Sequence, residues 1–170
     1  RPLVAGPVHL IWRRGEAAPG EVVHLGRAVL GVVEAELSLG NDVHILDNWS
    51  SDGTFEALKH LSTRRQGQGS LSIERFPANG HTRYFDLRSI LRRKEEIALG
   101  FPRRWIIHQD SDEVRTSPWP GVGLREGLHR ADEAGFTAVD FVVLAFRPID
   151  DSYQAGVDPG DIIMGVGGEK

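Results

Sequence analysis

Apolar residues fall along this chain in short continuous runs, separated by longer stretches in which they recur every three or four positions. The runs are Pro7-Val-His-Leu-Ile-Trp12, Asp42-Val-His-Ile-Leu-Asp47, Leu71 to Phe76, Trp105-Ile-Ile107 and Phe136 to Phe146. Short runs that are nearly unbroken are what strands covered on both faces show. Between them, Glu21 to Leu39 carries Val22, Leu25, Val29, Val32, Val33 and Leu37 near one helical face, with Gly40 placed to close the helix in the left-handed conformation. Asn48-Trp-Ser-Ser-Asp-Gly53 is turn chemistry, in which Ser51 or Asp52 can cap a helix from about Thr54 to Arg65. A third helix is expected over Tyr84 to Leu99, stopped by Gly100 and Pro102, and a short fourth over Leu124 to Ala134, ended by Gly135.

Strand and helix therefore alternate at least four times, which predicts an α/β layered domain with a mainly parallel central sheet. Right-handed crossovers would bring the strand tips at Arg13, Asp47 and Asp110 to one edge. Gln66-Gly-Gln-Gly69 reads as a flexible loop and Pro118-Trp-Pro-Gly121 as a rigid one. No repeat or linker divides the chain, so residues 1–150 read as one domain. Residues 151–170 read as an irregular tail, because the composition turns to Gly and Asp.

With 170 residues, 40% of them apolar and 26% charged, the chain is long enough for a genuine core and ordinary for a globular protein. A net charge of −4 argues against nucleic-acid binding by bulk charge. The absence of cysteine excludes disulfides and thiolate metal sites. No apolar run approaches the roughly 20 residues of a membrane-spanning helix and no signal-peptide pattern is visible, so the cytoplasm is the expected location. The sequence opens at Arg1 without methionine, as expected of a piece trimmed from a longer protein.

The candidate chemistry lies where apolar runs stop at acids. Trp105-Ile-Ile-His-Gln-Asp-Ser-Asp-Glu113 ends in Asp110, Asp112 and Glu113. At the carboxyl end of a parallel strand, Asp-x-Asp can seat Mg²⁺ or Mn²⁺, hard ions that bridge to phosphate oxygens; the plain alternative is an acidic loop facing water. Asp47 can accept hydrogen bonds from a base or ribose, or simply form the turn before Asn48. Arg83, at the head of the third helix, can reach a ligand over the strand ends, and its planar fork suits phosphate. Arg88, Arg92, Arg93 and Lys94 fan around the helix axis, so most belong to a solvated face paired with Asp86, Glu95 and Glu96; Arg93 is the one singled out. His108 shares a strand face with Asp110, as a third metal ligand or a hydrogen-bonded structural histidine. Trp119 is an acceptor-stacking lid or a packing residue. Gly121-Val-Gly123 with Gly127 lacks the spacing of a dinucleotide loop, and no P-loop, nucleophile elbow or zincin motif is present.

Taken together, Leu46-Asp-Asn-Trp-Ser-Ser-Asp-Gly-Thr54 and the Trp105–Glu113 segment resemble the two signature segments of family-2-type glycosyltransferases with the GT-A fold. Those segments are a strand ending in Asp before a Ser-x-Asp-Gly-Thr turn, and a Trp-containing strand ending in Asp-x-Asp-Glu. Their order, and the basic helix between them, also match, over about residues 7–148. The resemblance implies transfer of a sugar from a nucleoside-diphosphate sugar to an acceptor hydroxyl, with Mn²⁺ or Mg²⁺. It implies that Asp47 contacts the base, Arg83 the diphosphate, Asp110 the ribose and metal, and Asp112 the metal, while Arg93 is a nucleotide-binding candidate from its place on the cationic helix alone. The sequence departs from the family in two places. Asn48-Trp49 replaces the commoner Asp-Gly, and few residues follow the last strand, leaving Asp150 and Asp151 as nearby candidates for the catalytic base and Asp140 inside that strand. Two other classes compete: a non-catalytic GT-A-like recognition or assembly module without a complete acceptor site, and a nucleotidyltransferase, for which Arg13-Arg-Gly15 is a thin match to the basic loop required.

Overall fold

The structure, a computed structural model, describes residues 8–13, 22–64, 69–81, 86–110, 115–142, 146–148 and 164–166. The elements are β1 (Val8–Arg13), α1 (Val22–Ser38), β2 (Asp42–Asp47), α2 (Thr54–Arg64), β3 (Leu71–Arg75), α3 (Leu87–Leu99), β4 (Ile106–Asp110), α4 (Leu124–Glu133), β5 (Phe146–Pro148) and β6 (Met164–Val166). The first four strands form one parallel sheet in the order β3-β2-β1-β4. An α/β architecture with a parallel central sheet is thus what the hydrophobic pattern predicted.

Both faces of this sheet are covered. On one, Val29, Val33 and Leu37 of α1 and Leu58 of α2 enclose Val43 and Ile45 of β2, with Leu71 and Ile73 of β3 packed beside them. On the other, Ile90 and Ile97 of α3 meet Val8 of β1 and Leu46 of β2, flanked by Phe76, Phe101 and Ile106. Side chains alternate across a strand, so Ile45 and Leu46 serve opposite layers, which is why β2 reads as a continuous apolar run. Right-handed crossovers account for the division of the helices: α1 and α2 step outward from β1 to β3, and α3 crosses back over the other face to β4.

Helix α1 ends as its glycine predicts. Gly40 has φ 77, its N–H bonds to the Leu37 carbonyl, and the Asn41 N–H reaches back to the Glu36 carbonyl. This reciprocal pair closes the last turn. Asp52, not Ser51, serves the start of α2, its carboxylate accepting from the Thr54 N–H at 3.1 Å. Asp86 caps α3, accepting from the Ser89 N–H at 3.1 Å. Gly69 is required by close approach, since any Cβ there would run into the Asn41 carbonyl.

Two expectations are corrected. The run Phe136 to Phe146 is not a strand over residues 136–142, and of its described residues Phe146 alone is extended, at the start of β5 (Phe146–Pro148). Composition favoured a strand, but pairing decides one: Phe136 and Val142 are 61% and 89% exposed instead of packed in a sheet. The tail, expected to be irregular, contributes Met164–Val166, which pairs antiparallel with β5. Its short apolar run was hidden by surrounding glycines.

Candidate functional site

In an open parallel sheet the ligand crevice lies beyond the carboxyl ends of the strands, where the strand order reverses. Here the order reverses between β1, the start of one progression, and β4, reached by the return crossover. The register brings the tips together: Arg13 pairs with Asp47, Asp47 with Arg75, and Trp12 with Asp110. Asp47 and Asp110 therefore flank β1 from either side, about 10 Å apart by two interstrand spacings.

Asp47 closes β2 and its side chain is 0% exposed. Its Oδ2 accepts from the Ser50 N–H at 3.1 Å and lies 3.9 Å from Nε of Arg75. This carboxylate shapes the turn between β2 and α2, and it faces inward. The turn is tied down further. Trp49 adopts a left-handed φ of 56, uncommon for a bulky residue, while its indole Nε1 donates to the Pro77 carbonyl at 2.8 Å. Asn48 Nδ2 donates to the Phe76 carbonyl at 2.9 Å. The Asn48-Trp49 pair that departs from the family pattern is thus what fastens the β2–α2 turn to the end of β3.

Arg75 was not singled out from the sequence, yet it organises this side of the rim. Its guanidinium lies over the rings of Phe55 and Trp49, at 4.1 and 4.9 Å from their centroids, and donates to Glu56 Oε1 at 3.2 Å. Beside it the Ser50 and Thr54 hydroxyls are enclosed with no hydrogen-bond partner among the described residues, the kind of buried polar group that calls for a water or a ligand. Asp-Gly-Thr at the start of a helix was the available signal for Thr54; nothing in the sequence marked Arg75.

At the other side of the crevice Asp110 ends β4 with its side chain 62% exposed. Beneath it lies Lys94 of α3, whose Nζ donates to the Gln109 carbonyl at 3.3 Å and stands 3.9 Å from Asp110 Oδ1. His108 shares the face of Asp110, and partial desolvation together with the Lys94 charge pushes its pKa below the ordinary value, which favours the neutral ring. The expectation of a solvated cationic face on α3 holds for Arg88 and Arg92, which are exposed, and fails for Lys94. The missed signal was position: Ile90, Lys94 and Ile97 form the buried stripe at i, i+4 and i+7.

Arg93 binds Glu74 of β3 through two hydrogen bonds of 2.6 and 2.8 Å, and Glu96 of its own helix at 3.0 Å. In this geometry its donors serve carboxylates instead of the crevice. Glu74 is held below the usual carboxylate range by Arg93, which is itself pushed upward. His44, bonded to Ser72 Oγ at 2.6 Å and 3.6 Å from Glu74, is lowered chiefly by burial. Trp119 packs over α4, with the Arg130 guanidinium 5.6 Å from its ring. Asp140, expected inside a strand, is exposed and accepts from the Phe141 N–H. Arg83, Asp112, Asp150 and Asp151 lie outside the described residues.

No three potential metal ligands come together among the described residues, and no described helix is long and apolar enough to cross a membrane. Compared with known proteins, the chain matches no family model, no curated protein and no solved structure.

Proposed function

We propose that this chain is a GT-A-like domain that binds a nucleoside-diphosphate sugar and transfers the sugar to an acceptor hydroxyl, as a glycosyltransferase or the donor-binding part of one. The observation that carries the reading is the pairing of both acid-tipped segments with β1, at the carboxyl edge where the strand order reverses. In the reaction, the acceptor oxygen attacks the anomeric carbon as its proton passes to a base. The bond from that carbon to the phosphate oxygen breaks, and the diphosphate leaves with the electron pair. Charge builds on the leaving diphosphate, so catalysis depends on cations fixed beside it.

Arg83 is our candidate for that role, with Asp150 or Asp151 as the base. Mn²⁺ or Mg²⁺, held by Asp110 and Asp112, would supply further charge neutralisation when bound. The exposed Asp110 carboxylate suits a hard cation, although the described residues contribute only this part of the ligand set. Uridine diphosphate with Mn²⁺ is expected to raise the thermal midpoint, by about 2.7 kcal/mol of stabilisation at a hundredfold excess over Kd. Asp112→Ala is expected to abolish the shift. No shift with any nucleoside diphosphate would contradict the reading.

The second reading is a non-catalytic recognition module, favoured by the exposure of Phe136 and Val142 where a further strand was expected. It predicts metal-independent behaviour and no sugar transfer to any member of an acceptor library.

A further inference from the structure

Away from the strand tips, a hydroxyl, an imidazole and a carboxylate meet on the α3 face of β2 and β3. His44 and Ser72 are direct cross-strand partners, and Ser72 Oγ lies 2.6 Å from His44 Nδ1. Glu74, two residues along β3 and so on the same face, places a carboxylate oxygen 3.6 Å from His44 Nε2. Arg93 fixes that carboxylate through two hydrogen bonds of 2.6 and 2.8 Å. Nε2 is buried without a hydrogen-bond partner among the described residues, and the carboxylate near it favours the tautomer that carries its hydrogen there. Nδ1 is then left to accept the Ser72 hydroxyl proton. Ser72 is open to solvent, whereas the His44 and Glu74 side chains are 15% and 27% exposed. Burial, the largest influence on His44, lowers its pKa and keeps the ring neutral, the form that can take a proton.

A serine with a base in hydrogen-bond reach, and a third group beside that base, is the arrangement that activates a hydroxyl as a nucleophile. The strand also supplies a donor for the oxyanion. The Ser70 carbonyl and the Phe76 N–H serve β2, so the N–H of Ile73, next after Ser72, points to the other side of β3. That side is the outer edge of the sheet among the described residues. We propose that Ser72, His44 and Glu74 form a second site, an esterase centre that takes small carboxylic esters. An exposed serine on an outer strand suits small, unhindered acyl groups. Ser72 Oγ attacks the carbonyl carbon as its proton passes to His44 Nδ1, and the oxyanion forms within reach of the Ile73 N–H. The carbon–oxygen bond to the alcohol then breaks, and the alcohol leaves with the electron pair and the His44 proton. Water attacks the acyl-serine while giving a proton to His44, which returns it to Ser72 as the carboxylic acid departs. Glu74 is a positioning residue that holds the ring and stabilises the imidazolium. The site does not depend on the donor-binding reading above.

The full chain is treated with p-nitrophenyl acetate and, separately, with a fluorophosphonate, and adducts are located by peptide mass spectrometry. The wild-type protein is expected to release p-nitrophenol and to carry the fluorophosphonate adduct on Ser72. Ser72→Ala, an exposed change that leaves the packing intact, is expected to remove the adduct and most of the release. His44→Gln keeps a hydrogen-bonding partner for Ser72 but supplies no base, and is expected to slow labelling about a hundredfold. Glu74→Gln is expected to slow it about tenfold and Glu74→Asp to recover part of the rate, a rescue that a merely structural carboxylate would not produce. If His44→Gln fails to fold, Ser72→Ala decides alone. No adduct on Ser72, release unchanged in Ser72→Ala, or labelling as fast in a folded His44→Gln as in the wild type overturns the proposal.

Discussion

His44 sits in a polar cluster with Ser72, Glu74 and Arg93, between β2, β3 and α3. Burial and the Arg93 charge hold its pKa below the ordinary 6.5, against the upward pull of Glu74. The folded state therefore takes up this proton at lower pH than the unfolded chain does. Stability is complete above the unfolded value and is lost as pH falls through it toward the folded one. His108 shifts in the same direction, as do the carboxylates of Glu74 and Asp42 at lower pH. The urea midpoint of the wild-type protein is expected to fall between about pH 7 and about pH 5. His44→Gln is expected to flatten that fall while retaining a hydrogen-bonding partner for Ser72. An unchanged slope in the variant would show that His44 titrates no differently on folding. The residue scale is also where the sequence was least legible. The turn at Asp47 could be anticipated from Asp-Asn-Trp-Ser, but whether its carboxylate faces inward or outward depends on Arg75, which lies on another strand.

At the scale of elements, the periods were legible wherever a helix or strand buries its own apolar stripe. Strand β2 runs from Asp42 to Asp47 as read, and α2 and α4 match their expected spans to within one residue. These elements carry local instructions: Gly40 closes α1, Asp52 serves the start of α2, and the apolar periods are clean. Phe136 to Phe146 carried composition alone. A strand needs a neighbour to take its hydrogen bonds, and no local signal says whether one is present. Leu58 shows how much one well-specified position contributes. It is fully enclosed between α1 and β2, so Leu58→Ala is expected to cost about 2–5 kcal/mol through lost burial and the cavity left behind. Equilibrium denaturation measures this directly, and a cost below about 1 kcal/mol would mean that the layer repacks freely.

For the whole molecule, the decisive property is topological. Four parallel strands in the order β3-β2-β1-β4 bring segments some sixty residues apart to the same edge. The sequence contained this outcome in its alternation of strands and helices, because handedness leaves few ways to connect them. What it did not contain is the electrostatic setting of the edge. Arg75 among aromatic rings and Lys94 beneath Asp110 are products of packing between elements.

The claim that this carboxyl edge receives a nucleoside diphosphate can be tested by following backbone amides in a ¹H–¹⁵N spectrum as uridine diphosphate and Mg²⁺ are added. The account predicts that the largest shifts cluster at Asn48, Trp49 and Asp110, at the ends of β2 and β4. Shifts concentrated at Val8, Asp42 and Ile106, at the opposite edge of the same sheet, or no shifts at saturating nucleotide, would contradict it.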